Sequence, residues 1–173
     1  MSRSFSQPVL RPVTPADAPA ILAIYAPEVL HGTASWEYAS PDLPEMERRI
    51  GAIIAQGFPY LVAEIDGALA GYSYASSYRS REGYRFVVEN SIYVDPAYQG
   101  LGLGRTLLNA LIAACATKGF RQMVAVIGDS ANQPSIRLHL ACGFVHIGTL
   151  KGIGYKYERW LDSVIMQRPL SAD

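Results

Sequence analysis

A glycine-rich segment between an apolar strand and an apolar-faced helix restricts the fold of this 173-residue chain more than any other feature. In residues 99–105, glycines occupy alternate positions, so the backbone can turn tightly and present several N–H groups at the positive end of the helix. Arg105 falls in the first helical turn, where a cation opposes the helix dipole unless an anion lies beside it. The segment therefore predicts a phosphate site, and a glycine-rich turn without a ligand is the alternative.

Two nucleotide-binding motifs do not fit this spacing. A P-loop needs a lysine before its final Ser or Thr, whereas this chain has Arg105 before Thr106. A Rossmann site needs a third glycine three residues after the second, and an acidic residue about 20 positions beyond the loop. Val124 stands at that position here. We therefore expect a phosphate that belongs to another kind of ligand.

The rest of the chain predicts a mixed sheet with helices on both faces. Apolar runs predict strands at residues 9–13, 60–65, 68–74, 86–94, 123–127, 144–150 and 160–167. Helical spacing predicts helices after Thr14, at 44–57, from the glycine segment to Lys118, and from Ser130 or Asn132 to about Ala141. No linker or repeat divides the chain, so we expect a single domain over residues 1–173.

Composition excludes several classes of partner. Fifteen Lys and Arg balance fifteen Asp and Glu, so no overall field attracts nucleic acid or an acidic membrane surface. The longest apolar stretch, around residues 107–116, is too short to span a bilayer. His31, His139 and His146 lack ligand spacing, so we expect no metal. Cys115 and Cys142 fit buried thiols in the reducing cytoplasm.

Two motifs resemble those of the GNAT N-acetyltransferases. The first follows a strand that ends in Val94-Asp95-Pro96 and is Gln99-x-x-Gly102-x-Gly104. The second is Asn132-x-x-Ser135-x-x-Leu138-His139-x-x-x-Gly143-Phe144. Segments at 60–67, 71–75, 89–94, 124–128 and 154–160 resemble the phosphinothricin N-acetyltransferase branch of that family. The resemblance therefore covers nearly the whole chain.

The resemblance implies an α/β (α+β mixed) GNAT fold, in which helices flank both faces of a mixed, mostly antiparallel sheet. It implies acetyl-coenzyme A as co-substrate and, as acceptor, the α-amine of a small amino acid such as phosphinothricin, methionine sulfoximine or methionine sulfone. It also implies a homodimer, to which aromatic residues such as Tyr155, Tyr157 and Trp160 would contribute. Coenzyme contacts are implied at Ile92, Tyr93, Val94, Gln99, Gly100, Leu101, Gly102, Leu103, Gly104, Arg105, Asn132 and Ser135.

Acetyl transfer from a thioester to an amine needs a base for the ammonium and an acid for the departing thiolate. Glu89 lies in an otherwise apolar strand, on the face that carries Ser91 and Tyr93, where a carboxylate is costly to bury without a task. It is the candidate base, and a solvent-facing glutamate is the alternative. His139 stands where many GNAT enzymes have a tyrosine that is thought to protonate the sulfur. It is the candidate acid, and a structural histidine is the alternative.

Aromatic residues alternate with arginines in residues 78–85, just before the strand of Glu89. Arginine binds a carboxylate through two parallel hydrogen bonds, so this loop could hold the carboxylate of a zwitterionic acceptor. A solvated basic loop is the alternative. With the resemblance, the pattern predicts acceptor contacts at Trp36, Tyr74, Ser76, Tyr78, Arg79, Arg81 and Tyr84. Two other functions stay open: acetylation of protein N-termini or other amines, and a non-catalytic module that binds coenzyme A for regulation.

Overall fold

The computed structural model describes residues 6–171, so the ends of the expected domain, 1–5 and 172–173, lie outside it. Its helices are α1 Ala18–His31, α2 Leu43–Ala55, α3 Leu103–Thr117 and α4 Gln133–Ala141. Its strands are β1 Val9–Pro12, β2 Tyr60–Ile65, β3 Ala68–Ser77, β4 Val87–Val94, β5 Gln122–Gly128, β6 Val145–Lys156 and β7 Arg159–Pro169. They form one seven-stranded sheet in the order β1-β2-β3-β4-β5-β7-β6. Within the described range only β4 and β5 pair in parallel, which confirms a mixed, mostly antiparallel sheet.

Different helices cover the two faces of the sheet. On one face α1 and α2 pack on β2 and β3, and they bury Ile21, Ile50 and Tyr72. On the other face α3 and α4 pack on the central strands, and they bury Leu108 and Met123. Each such side chain stabilises the fold by about 1.5–3 kcal/mol through removal of apolar surface from water. The predicted layers are confirmed. No helix among residues 6–171 has the length and apolar composition needed to cross a bilayer.

Strand β6 is longer than the sequence predicts. The apolar pattern predicts residues 144–150, but the strand continues to Lys156 and joins β7 through a tight turn. Tyr157 and Glu158 form the turn, with φ of 54° and 57°. Glycines and charged residues interrupt the apolar alternation, and the pairing register shifts between Leu150 and Gly154. The other predicted boundaries differ from the observed ones by no more than three residues.

Strands β4 and β5 separate partway along the sheet. Their pairing runs from Val87 to Glu89 on β4 and ends opposite Val124 on β5. Beyond this point β4 stays paired with β3 as far as Val94, while β5 stays paired with β7 as far as Gly128. The strands therefore form a fork, whose two walls are the edges of residues 90–94 and 125–128. Backbone N–H and C=O groups on these edges are available to a ligand.

Candidate active site

The fork between β4 and β5 opens into a cavity of about 300 Å³. Strands β4 and β5, the first turns of α4 and the segment between α1 and α2 form its walls. Seven residues that the sequence singled out line it: Trp36, Glu89, Ile92, Tyr93, Asn132, Ser135 and His139. The fold thus brings both candidate catalytic residues to one cavity, which we call the fork cavity.

The glycine segment forms a second cavity, of about 360 Å³, which shares Ile92 and Ser135 with the fork cavity. Gly100 and Gly102 have φ of 77° and 78°, a left-handed conformation that glycine adopts without strain, and α3 begins at the next residue. Nine of the expected coenzyme contacts line this second cavity: Ile92, Val94, Gln99, Gly100, Gly102, Leu103, Gly104, Arg105 and Ser135. Leu101 lies apart from them, half-exposed, in a different cavity beside Thr106.

The second cavity suits a pyrophosphate group. The first-turn N–H groups of α3 have no acceptor within the helix, and the positive end of the helix dipole favours an anion there. The exposed guanidinium of Arg105 lines the same cavity. Next to it, the edge of residues 90–94 can bind an extended amide chain through backbone hydrogen bonds, as a sheet edge binds a peptide. The two cavities can therefore hold the two ends of one long ligand.

Glu89 lies on the face of β4 that carries Ser91 and Tyr93, as the strand alternation predicts. Burial raises the pKa of its carboxyl above the usual range, because charge is poorly solvated there. Ser76 lies directly opposite Glu89 on β3, and Tyr74 lies opposite Ser91. Opposite residues in a ladder share a face, so these two expected acceptor residues lie beside the carboxylate.

His139 is 2% exposed and lies edge-on against the ring of Phe144. Its Nδ1 is 2.8 Å from the carbonyl oxygen of Ser135, and its Nε2 is 3.0 Å from Oδ1 of Asn90. Burial lowers the pKa of the imidazole, and its contact with the Ser135 carbonyl opposes that effect. Helix α4 begins after Asn132, whose side chain accepts a hydrogen bond from the N–H of Ser135 at 3.3 Å. Of the two predicted caps, Asn132 is the one that caps the helix.

The segment after α1 forms one wall of the fork cavity, and residues of strand β6 contact this segment. The Nζ of Lys156, a side chain only 1% exposed, donates hydrogen bonds to the carbonyl oxygens of Gly32 at 2.9 Å and Ser35 at 2.7 Å. The ring of Trp36 packs directly on Gly154, where any larger residue would collide with it. The position of Trp36 in the cavity therefore depends on two residues near the end of β6.

Three residues at the site were not singled out by the sequence. Asn90 offered a signal, because its side chain lies on the same buried face of β4 as that of Val88. A buried amide needs hydrogen-bond partners. Lys156 lies beyond the predicted end of its strand, and the resemblance of segment 154–160 gave it no role of its own. Ser35 lies in an irregular segment, and its hydroxyl is 3.0 Å from the hydroxyl of Tyr25.

The basic loop that precedes β4 does not line the fork cavity. The rings of Tyr78 and Tyr84 meet edge to face, with centroids 5.8 Å apart. The guanidinium of Arg79 lies 5.3 Å and 5.7 Å from the two ring centroids, and Arg81 is exposed. The structure groups these four expected acceptor residues with one another and apart from Trp36. Tyr74 lines a third, small cavity next to the fork cavity.

Comparisons with known proteins agree with the fold. Residues 23–144 match the model of the acetyltransferase (GNAT) family. The chain is 53% identical over 163 residues to a phosphinothricin N-acetyltransferase from Alcaligenes faecalis, which covers 94% of this chain and 83% of that protein. It is 42% identical over 155 residues to an L-methionine sulfoximine/L-methionine sulfone acetyltransferase from Salmonella typhimurium, with 90% of each chain covered.

A solved structure extends the similarity to three dimensions. The crystal structure of a GNAT superfamily phosphinothricin acetyltransferase from Sinorhizobium meliloti in complex with acetyl-coenzyme A superposes with a TM-score of 0.92. The two chains are 47% identical, and the match covers 95% of this chain and 89% of the other. Among residues 6–171, no group of three or more His, Cys, Asp or Glu is placed to hold a metal ion. The chain therefore belongs to the GNAT acetyltransferase family and is an N-acetyltransferase that uses acetyl-coenzyme A as its co-substrate.

Proposed function

We propose that this enzyme acetylates the α-amine of a small amino-acid-like acceptor, a class that includes phosphinothricin, methionine sulfoximine and methionine sulfone. The observation that carries the proposal is the fork cavity, which adjoins the glycine segment and contains Glu89. The names of the two relatives support this acceptor class. The cavity volume of about 300 Å³ also suits a small acceptor better than a long peptide.

The coenzyme is held by the residues that line the second cavity. The N–H groups of the glycine segment and Arg105 bind the pyrophosphate, and the free edge of Ile92, Tyr93 and Val94 binds the pantetheine arm. Acetyl-coenzyme A supplies the activated acetyl thioester when it is bound. Because β4 leads from this edge directly to Glu89, the acceptor amine and the thioester meet inside the fork.

Glu89 is the base for the incoming ammonium. Its raised pKa makes the carboxylate a better proton acceptor than an exposed glutamate, and it can act directly or through a water molecule. His139 is the acid for the departing thiolate, because it lines the same cavity from α4. Attack is direct in a ternary complex, since both cysteines are buried and burial raises their pKa values, which disfavours the nucleophilic thiolate.

The acceptor contacts divide into two groups. Trp36, Tyr74 and Ser76 lie at or beside the fork cavity and bind the body of the acceptor. Tyr78, Arg79, Arg81 and Tyr84 form the basic loop, and we propose that an arginine of this loop binds the acceptor carboxylate. The guanidinium of Arg79 already contacts the faces of both rings, so Arg81 is the more available of the two.

We also propose that the chain acts as a single domain, in the cytoplasm, as a homodimer. Cys115 and Cys142 are unpaired and buried, which suits a reducing compartment. Edge strand β6 carries exposed apolar side chains that a second copy could cover, including Ile153 and Tyr155, and Trp160 lies beside them on β7.

The test is to mix the pure protein with acetyl-coenzyme A and a panel of acceptors while free thiol is measured. The panel contains phosphinothricin, methionine sulfoximine, methionine sulfone, unmodified methionine and a short peptide with a free N-terminus. We expect thiol release with the first three. Release with the peptide alone would assign the enzyme to protein N-termini. Tight coenzyme A binding without release for any acceptor would favour a regulatory module.

A further inference from the structure

Asn90 occupies the point where β4 leaves β5. The pairing of the two strands ends at Glu89, one residue earlier, and the side chain of Asn90 is 7% exposed. Its Nδ2 donates a hydrogen bond to the carbonyl oxygen of Val124, at 3.1 Å across the fork. Its Oδ1 lies 3.0 Å from Nε2 of His139. The amide therefore joins both strands of the fork to the proposed acid.

Each ring nitrogen of His139 contacts a group whose role as hydrogen-bond donor or acceptor is fixed by its chemistry or by its other contacts. Nδ1 lies 2.8 Å from the carbonyl oxygen of Ser135, which can only accept. The hydroxyl of Ser135 lies 3.5 Å from the same nitrogen, too far to replace that shorter contact. Nε2 meets the amide of Asn90, whose other end already meets the carbonyl of Val124.

Only one protonation state of the His139 ring satisfies all of these contacts. If a neutral ring carries its proton on Nδ1, the lone pair on Nε2 faces Oδ1 of Asn90. Turning the amide repairs that contact but brings Oδ1 against the oxygen of Val124. If the proton is on Nε2, the lone pair on Nδ1 faces the oxygen of Ser135. Only the imidazolium, with a proton on each nitrogen, hydrogen-bonds both Ser135 and Asn90 while Asn90 also hydrogen-bonds Val124.

We propose that Asn90 is a positioning residue that keeps His139 protonated in the resting enzyme. The proposal rests on the acid role of His139 given above. On donation, the proton on Nε2 leaves its hydrogen bond to Asn90: the N–H bond breaks with its electron pair staying on the nitrogen, and a new S–H bond forms on the departing thiolate. The neutral ring that remains is then poorly matched to its partners, so it favours taking up a proton again before the next cycle.

The surroundings of His139 act against this effect. Burial disfavours the charged ring. Glu37, Glu89 and Tyr93 line the fork cavity with it, and Arg105 and Arg168 lie close to Cys142 at the end of its helix. The only hydrogen-bond partners of the ring nitrogens among the described residues are Ser135 and Asn90. Of these two, Asn90 is the one whose contacting atom a substitution can change, since Ser135 contributes a backbone carbonyl.

The test is an NMR titration of the histidine rings in the free protein, with no substrate present. The chain has three histidines, so a His139→Gln variant identifies the signal of His139. Asn90→Leu removes the acceptor at similar size, and we expect the pKa of His139 to fall by about 1. Asn90→Asp puts a carboxylate at Nε2, and we expect that pKa to rise by about 1 or more. Asn90→Ser, which is smaller, should act as Asn90→Leu does and serves if that variant does not fold.

Opposite shifts for the two variants cannot come from general loosening of the fold, which would move both in one direction. An unchanged pKa in both, or a shift of the same sign in both, overturns the proposal. The pH dependence of kcat separates this result from the acid role itself. If His139 is the acid, Asn90→Leu moves the alkaline fall of kcat to lower pH, with KM for acetyl-coenzyme A unchanged. NMR shifts without a kcat shift would leave the Asn90 network standing and remove the acid role.

Discussion

At Glu89, the burial that suits the proposed role of the carboxylate as a base also makes its charge costly to the fold. We expect Glu89→Gln to lower kcat by about 10²-fold, because glutamine cannot take the ammonium proton. The acid limb of the pH–rate profile, which reports protonation of this base, should disappear with it. Steady-state assays across pH measure both effects. Glu47→Gln, on the exposed face of α2, is the matched control, and equal losses in the two variants would contradict the role of Glu89.

The same residue gives a prediction for stability. The pKa of Glu89 is raised in the folded state, so the folded chain binds its proton more tightly than the unfolded chain does. The stability linked to that proton is present at low pH and is lost as pH rises through the folded pKa. Glutamine resembles the protonated acid, so Glu89→Gln should unfold at a higher temperature than the wild type at pH 7. That advantage should shrink as pH falls from above the raised folded pKa to the ordinary range of a glutamate, because the wild-type carboxyl becomes protonated there. A variant less stable than the wild type at neutral pH would contradict this cause of the shift.

Single residues were predictable where strand alternation and a motif coincided. The alternation along β4 was enough to predict that Glu89 shares a face of the strand with Ser91 and Tyr93. The second motif included His139. The partners of the histidine were not predictable, because Asn90 meets it across 49 positions in sequence and Ser135 meets it through a backbone carbonyl. Periodicity describes which way a side chain points, and it carries no information about which distant group it will meet.

At the scale of elements, the hydrogen bonds from Lys156 join strand β6 to the segment after α1. Lys156→Met keeps the apolar stem but leaves the oxygen of Ser35 without this donor, while the oxygen of Gly32 keeps the hydrogen bond from the hydroxyl of Tyr157 at 3.0 Å. We expect a loss of about 1–3 kcal/mol in the free energy of unfolding, the usual penalty for an unsatisfied buried polar group. We also expect KM for the acceptor to rise while KM for acetyl-coenzyme A changes little, because Ser35 lines the fork cavity and not the glycine-segment cavity.

Chemical denaturation and initial-rate assays measure these two effects. Lys151→Met is the matched control, since Lys151 lies on the same strand with its side chain 76% exposed and forms a surface ion pair with Asp162. Such a pair contributes about 0–1 kcal/mol, so this variant should behave nearly as the wild type. Similar results for the two lysines would mean that the buried contacts of Lys156 do not hold the cavity wall.

Helices and strands were predictable from periodicity wherever the pattern was unbroken. The β2–β3 hairpin is an example, since Asp66 and Gly67 both adopt the positive φ that the turn needs, at 52° and 80°. The second half of β6 was not predictable, because two glycines and two lysines interrupt the expected apolar residues. Two of these residues contact the site: Gly154 leaves room for the ring of Trp36, and Lys156 donates a hydrogen bond to Gly32 in the segment after α1.

At the scale of the whole molecule, the order of elements was enough to predict a sheet with helices on both faces. It did not predict the fork between β4 and β5. The fork exists because β4 and β5 share only three residue pairs before each follows a different neighbour. Those pairings join residues far apart in sequence, so no local pattern encodes where they stop. The resemblance implied coenzyme contacts at Ile92, Tyr93 and Val94, and the pairing of the strands leaves this edge free on the fork side.

The two edges of the sheet provide the test of the proposed homodimer. Ile153 on β6 and Val9 on β1 are both 60% exposed, but only β6 belongs to a larger apolar surface that includes Trp160 and Tyr155. We expect light scattering to give twice the chain mass for the wild type. Ile153→Lys should weaken the dimer by about tenfold or more, because it places a charge against apolar surface. Val9→Lys should leave the dimer intact, since it makes a similar change at the opposite edge. A monomeric wild type would contradict the dimer itself, whereas equal effects of the two lysines would place its interface elsewhere than β6.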